Sequence, residues 1–108
     1  MNHPILPLQR CIHGEDIKSL SDMDLLAIIL GSGSRDINVF ELSSLTIRSC
    51  GGLPGLFNSG IREIAANKGI GLKKAVRIHA AFELGRRVIS LPVQRKSIDS
   101  PGNLGDGP

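Results

Sequence analysis

Tryptophan and tyrosine are absent from this chain of 108 residues, and phenylalanine occurs three times. A surface that stacks unpaired bases on aromatic rings has little to be built from. Cysteine occurs twice, at Cys11 and Cys50, with neither metal-ligand spacing nor a histidine in useful register, which argues against a structural zinc site. No apolar run approaches the roughly 20 residues that span a bilayer. The opening Met1-Asn2-His3-Pro4 shows no basic region followed by an apolar stretch of the secretory type. The two thiols are therefore expected to be reduced, and the protein to be cytoplasmic and away from membranes. No nucleophile–base pair, convergent acids or metal constellation stands out, so the expectation is not an enzyme, with no catalytic residue, metal or cofactor.

What is present is aliphatic. Hydrophobic residues make up 41% of the chain, mostly Leu, Ile, Val and Ala, a composition that suits small packed helices in one domain of ordinary size. Charge is unevenly placed around a net +3. Residues 1–60 hold four basic and six acidic side chains, whereas residues 61–108 hold nine and four. From Lys68 to Arg87 only Glu83 opposes six basic residues. Such asymmetry points to an anionic partner met by the second half.

Residues 1–19 read as an irregular lead-in broken by Pro4, Pro7 and Gly14, with one helical turn near Leu8–Ile12. His3 and His13 lie there as surface histidines. Ser21 and Asp24 form a capping box for a first helix rich in Leu25, Leu26, Ile28, Ile29 and Leu30, and Gly31 ends it. Gly31-Ser32-Gly33-Ser34-Arg35 lacks the Lys-Ser/Thr ending of a P-loop and no strand precedes it, so it is a plain connection. Asn38 and Glu41 cap a second helix with the stripe Val39, Leu42, Leu45, Thr46 and Cys50, stopped by Gly51-Gly52. A third short segment follows Pro54, with Leu53, Leu56 and Phe57 expected in the core. Ser59 or Gly60 caps a fourth, Ile61–Ala66. The longest helix runs from Leu72 to about Ser90, with Ala75, Ile78, Phe82, Val88 and Ile89 toward the bundle, His79 half-buried beside them, and Glu83, Arg86 and Arg87 outward. Residues 92–108, rich in Gly and Pro, read as a flexible linker.

The chain is organised around Asn67-Lys68-Gly69-Ile70-Gly71-Leu72-Lys73-Lys74-Ala75. Two glycines around one isoleucine permit a tight reversal between helices, because glycine adopts positive φ without steric cost. Ile70 would anchor the turn inward. The following helix begins with bare N–H groups at its positive end, a ready site for an anion. Lys68, Lys73, Lys74 and Arg77 surround it. Cations in a first helical turn oppose the helix dipole by roughly 0.3–1 kcal/mol each, and Lys73 and Arg77 repel as an i,i+4 pair. That placement makes sense opposite an external polyanion, and a phosphodiester backbone is the obvious one.

This spacing resembles the helix-hairpin-helix motif, with Ile64, Gly69-Ile70-Gly71 and Ala75 in their places and Asn67 where an apolar residue is usual. More widely, Leu20-Ser21-Asp22, Leu25-Leu26-Ala27-Ile28, Leu30-Gly31-Ser32-Gly33, Gly51-Gly52-Leu53, Lys68-Gly69-Ile70-Gly71, Lys74-Ala75 and Glu83-Leu84-Gly85-Arg86-Arg87 resemble the N-terminal domain of the bacterial RadC family. Leu72 stands where Pro is common, and Pro54 is a further departure. The resemblance implies an all-α fold: a small bundle of about five short helices over residues 20–91, similar to the second domain of the Holliday-junction protein RuvA. It also implies that longer relatives carry a zinc metalloprotease-like domain downstream, with residues 92–108 as the approach to it, and it associates the family with DNA repair.

Two functional readings follow. In the first, the domain is a DNA-binding module that contacts phosphates without reading sequence, through Gly69, Ile70 and Gly71 and through Lys68, Lys73, Lys74 and Arg77, with Arg86 and Arg87 extending the patch. In the second, the hairpin is structural and the basic face docks on an acidic protein partner or on the missing C-terminal domain.

Overall fold

The computed structural model describes residues 6–92; His3 and the linker expected from Val93 onward lie outside them. Six α-helices and one 3-10 turn make up the described residues, with no strand among them: α1 (Pro7–Ile12), the 3-10 turn Ile17–Ser19, α2 (Asp22–Leu30), α3 (Val39–Ser49), α4 (Leu53–Asn58), α5 (Ile61–Ala65) and α6 (Gly71–Ser90). The fold is all-α, as expected. No helix of the described residues is long and apolar enough to cross a membrane.

The helices start and stop where local chemistry directs. At α2 the Ser21 hydroxyl accepts from the Asp24 N–H at 3.1 Å, and the Asp24 carboxylate accepts from the Ser21 N–H at 3.2 Å. Two orphan donors are thus satisfied at once. Asn38 caps α3 by accepting from the Glu41 N–H at 2.8 Å. The Glu41 carboxylate makes no return bond, so the second expected box is half-formed. At α5 the position is reversed: Gly60 has no side chain to offer, and Glu63 accepts from its N–H at 2.8 Å. The turn expected near Leu8–Ile12 is α1, held against α2 by Arg10, which reaches both Glu15 and Asp24.

α2 packs against α1, α3 and α6, α5 against α6, and α4 against α3. Leu26, Leu30, Leu42, Leu56, Ile64, Ile70, Ala75 and Ile78 meet at the centre. Losing one of the large ones to alanine typically costs about 2–5 kcal/mol. Ser43 and Thr46 are buried too, and each is satisfied: Ser43 donates to the Met23 carbonyl across the α2–α3 interface at 2.6 Å, and Thr46 donates to the Leu42 carbonyl at 2.8 Å.

Four expected core positions lie outside this centre. Phe57 is half-exposed, and its ring meets Phe82 edge-on at 5.1 Å. Leu45 is similarly exposed, while Val88 and Ile89 project from α6 at 60% and 84% exposure. Length explains the last two. A 20-residue helix runs about 30 Å, whereas the nine residues of α2 cover about 13 Å and the five of α5 about 7 Å. The end of α6 outruns the helices that pack against it.

Candidate nucleic-acid interface

Residues 66–70 join α5 to α6. The turn is closed by the Asn67 N–H on the Ile64 carbonyl at 3.1 Å and the Ile70 N–H on the Asn67 carbonyl at 3.0 Å. Gly69 and Gly71 take the positive φ values of 90° and 67° that the spacing implies. Ile70 is buried in the core cluster, anchoring the turn inward. Asn67 explains its own departure from the motif. Its Oδ1 accepts from the Ser49 hydroxyl at 2.6 Å and its Nδ2 donates to the Ile64 carbonyl at 3.0 Å. A polar clamp to the end of α3 replaces an apolar contact.

The two glycines have different surroundings. A Cβ at Gly69 would lie 3.0 Å from Leu42 Cδ1 and 3.1 Å from Ser34 Oγ, so the turn presses on the α2–α3 connection. A Cβ at Gly71 would meet nothing within 4 Å. Gly71 faces outward at the start of α6.

That start differs from those of α2, α3 and α5. Its cap residue, Ile70, makes no side-chain hydrogen bond, and the first turn holds no acid. The N–H groups of Lys68, Gly69, Gly71, Leu72 and Lys73 find no acceptor among the described residues. The first N–H groups of a helix have no intrahelical partner; here their positive end stays uncompensated. Lys68 and Lys73 beside it are exposed and Lys74 is half-buried. None of the three forms an ion pair among the described residues.

The other cations expected at this surface, Arg77, Arg86 and Arg87, are engaged elsewhere. Arg77, expected to meet phosphates, sends Nη1 to the Leu30 carbonyl at 3.0 Å, placing positive charge at the C-terminal end of α2. Arg86 and Arg87 both bind the Glu83 carboxylate at 2.8 Å. These hydrogen bonds, Arg86 first and Arg87 second, hold the Glu83 carboxyl down at about 2. Of the candidate cations this leaves Lys68, Lys73 and Lys74 at the turn; Lys18, Arg35, Arg48 and Arg62 are also exposed without an ion pair among the described residues. His79 lies half-buried as expected, with Nε2 2.8 Å from the Ser59 carbonyl. Ser49, Ser34 and Leu30 were not among the expected site residues. Their roles come from contacts with residues far along the chain, for which local sequence carries no signal. Among the described residues no group of three or more His, Cys, Asp or Glu is placed to hold a metal ion.

A family model described as UPF0758 N-terminal matches residues 7–76. A UPF0758 protein of Syntrophomonas wolfei is 44% identical over 106 residues, which are 96% of this chain and 44% of that protein. Its counterpart in Desulforudis audaxviator is 45% identical over 80 residues, 74% of this chain and 34% of that protein. One from Bacillus cereus strain B4264 is 42% identical over 88 residues, covering 81% and 39%. The chain thus spans less than half the length of these relatives. No solved structure matches it.

Proposed function

The chain belongs to the UPF0758 family, and from that premise we propose that its α5–α6 hairpin is a clamp for DNA phosphates that does not read sequence. The observation that carries the reading is the uncapped start of α6. The free N–H groups of Lys68, Gly69, Gly71, Leu72 and Lys73 share one end of a long helix with three lysines that have no acidic partner among the described residues. Three of the other helices satisfy their first donors internally. A sequence selected for stability alone would place Ser, Asp or Glu at this end as well. In this reading the N–H groups of Gly69 and Gly71 donate to phosphate oxygens. Lys68, Lys73 and Lys74 supply the salt-sensitive attraction, and Ile70 fixes the turn to the core. Arg77 acts one step back, holding the end of α2 beside the turn. With no Trp or Tyr and few Phe, tracking of the backbone fits better than base stacking.

Fluorescence anisotropy with a labelled duplex tests the reading. The double change Lys73→Glu, Lys74→Glu is expected to abolish binding at low salt with the thermal midpoint held within a few degrees. Retained binding would contradict the clamp.

One observation favours a second reading, in which the hairpin is a structural tie. Gly69 presses on Ser34 and Leu42, and Asn67 holds Ser49. If that is the hairpin's whole role, the unmodified chain shows no DNA retardation even at low salt, and its basic face serves a protein partner.

A further inference from the structure

One isoleucine of this domain stands almost wholly in solvent. Ile89 is 84% exposed, the most open of the large hydrophobic side chains among the described residues. Arg86 stands one turn before it, and the two line the same stretch of surface between α4 and α6. The Arg86 guanidinium meets Glu83 through Nε and Nη2, which leaves its Nη1 donors without a partner among the described residues. A single exposed apolar residue is ordinary on a protein surface, but this one stands beside a hollow of matching chemistry. Between α2, α4 and α6 lies an apolar hollow of about 170 Å³, lined by Leu25, Ile29, Leu53 and Phe82. One charged residue borders it: Asp22, which is exposed and forms no ion pair among the described residues.

The hollow asks for an aliphatic side chain with a cation close by to meet Asp22. Ile89 and Arg86 are such a pair, and Ile89 is not seated in the hollow of its own chain. The two surfaces adjoin, because Ala81 and Phe82 line both. A projecting residue and a hollow side by side on one face satisfy a two-fold axis that passes between them, each copy inserting its own residue into the other's hollow. The charges obey the same symmetry: Arg86 of each copy meets Asp22 of the other. We infer that this face of α2, α4 and α6 pairs with the same face of a second copy of the chain. Ile89 enters the hollow of the second copy, and Phe57, half-exposed beside Phe82, is covered in the process. The seat is small, so the pairing belongs with weak, transient interfaces. It uses none of the hairpin residues and stands whether or not the hairpin binds DNA.

Sedimentation velocity on the chain, from about 10 μM to about 1 mM, tests the pairing. The mass is expected to rise from that of one chain toward that of two. Ile89→Asp is expected to hold it at one chain throughout, with helicity and thermal midpoint unchanged because that side chain is exposed. Asp22→Arg and Arg86→Asp, each alone, bring like charges together and are expected to weaken pairing about tenfold. Combined in one chain they restore the ion pair with its signs reversed, and pairing returns to within about threefold of the unmodified chain. A chain that stays single at the highest concentration leaves the face to a different protein and overturns the inference. So does an Ile89→Asp chain that pairs as well as the unmodified one, or a doubly reversed chain no tighter than either single reversal. Should Asp22→Arg lower the midpoint by opposing the α2 dipole, Asp22→Asn and Arg86→Gln take the place of the reversals. The double change then weakens pairing no more than either single one, and losses that simply add overturn the inference.

Discussion

At the scale of single residues, Gly69 and Gly71 separate two demands that a Gly-Ile-Gly turn places on the chain. Both take positive φ, but only Gly69 is crowded, with Leu42 and Ser34 at the edge of contact. An alanine at Gly71 meets the backbone penalty alone, about 1 kcal/mol, while at Gly69 it adds displacement of packed neighbours, for about 2–3 kcal/mol. Urea unfolding of the two variants is expected to place Gly69→Ala well below Gly71→Ala in midpoint. Equal midpoints would mean that the α2–α3 connection yields freely and that the hairpin is not tied to it. The proposed phosphate clamp is expected to rank the same pair differently: nothing lies within 4 Å of a Cβ at Gly71, so a side chain there would obstruct a bound phosphate while leaving the core intact.

At the scale of elements, α6 divides into an amino-terminal half that carries lysines and a carboxyl-terminal half that carries Glu83, Arg86 and Arg87. The Glu83 carboxyl lies at about 2 in the folded chain, against an ordinary value near 4.5. A depressed carboxylate contributes stability that is present above its unfolded value and is lost as pH falls through the folded one. Helicity of the last turns is therefore expected to decline between about pH 4.5 and pH 2, and Glu83→Gln is expected to remove that decline. Residue-resolved carbon shifts of α6 follow it directly, and a decline of equal size in Glu83→Gln would assign it to another acid. The cluster is solvent-exposed, so added salt weakens the effect.

The same helix shows what could be read from sequence and what could not. Ser21, Asn38, Gly31 and the glycines of the hairpin were legible because caps and positive-φ turns are settled within a few residues. Ala75 and Ile78 were legible because α5 and α2 lie across from them. Val88 and Ile89 follow the same apolar period but stay 60% and 84% exposed, because periodicity states which face is apolar and not how far its cover extends. Of the candidate site, Lys68, Gly69, Ile70, Gly71, Lys73 and Lys74 come together around one turn. Arg77 follows the same pattern, yet its guanidinium meets the carbonyl of Leu30, 47 residues earlier. That choice depends on tertiary placement alone.

At the scale of the whole molecule, α6 carries the hairpin lysines at one end and an exposed apolar stretch at the other. Leu72 and Val76 are exposed beside the hairpin lysines, and Leu84, Val88 and Ile89 are exposed toward the other end of α6. The central claim is that the hairpin holds phosphates through its amide groups and three lysines, and the most direct measurement is the salt dependence of duplex binding. With about three phosphates neutralised, the plot of log affinity against log salt should fall with a slope of about −3. Gly71→Asp puts a negative charge among the free N–H groups and should abolish binding while helicity is retained. A slope near zero, or a Gly71→Asp protein that binds as tightly as the unmodified chain, would contradict the account.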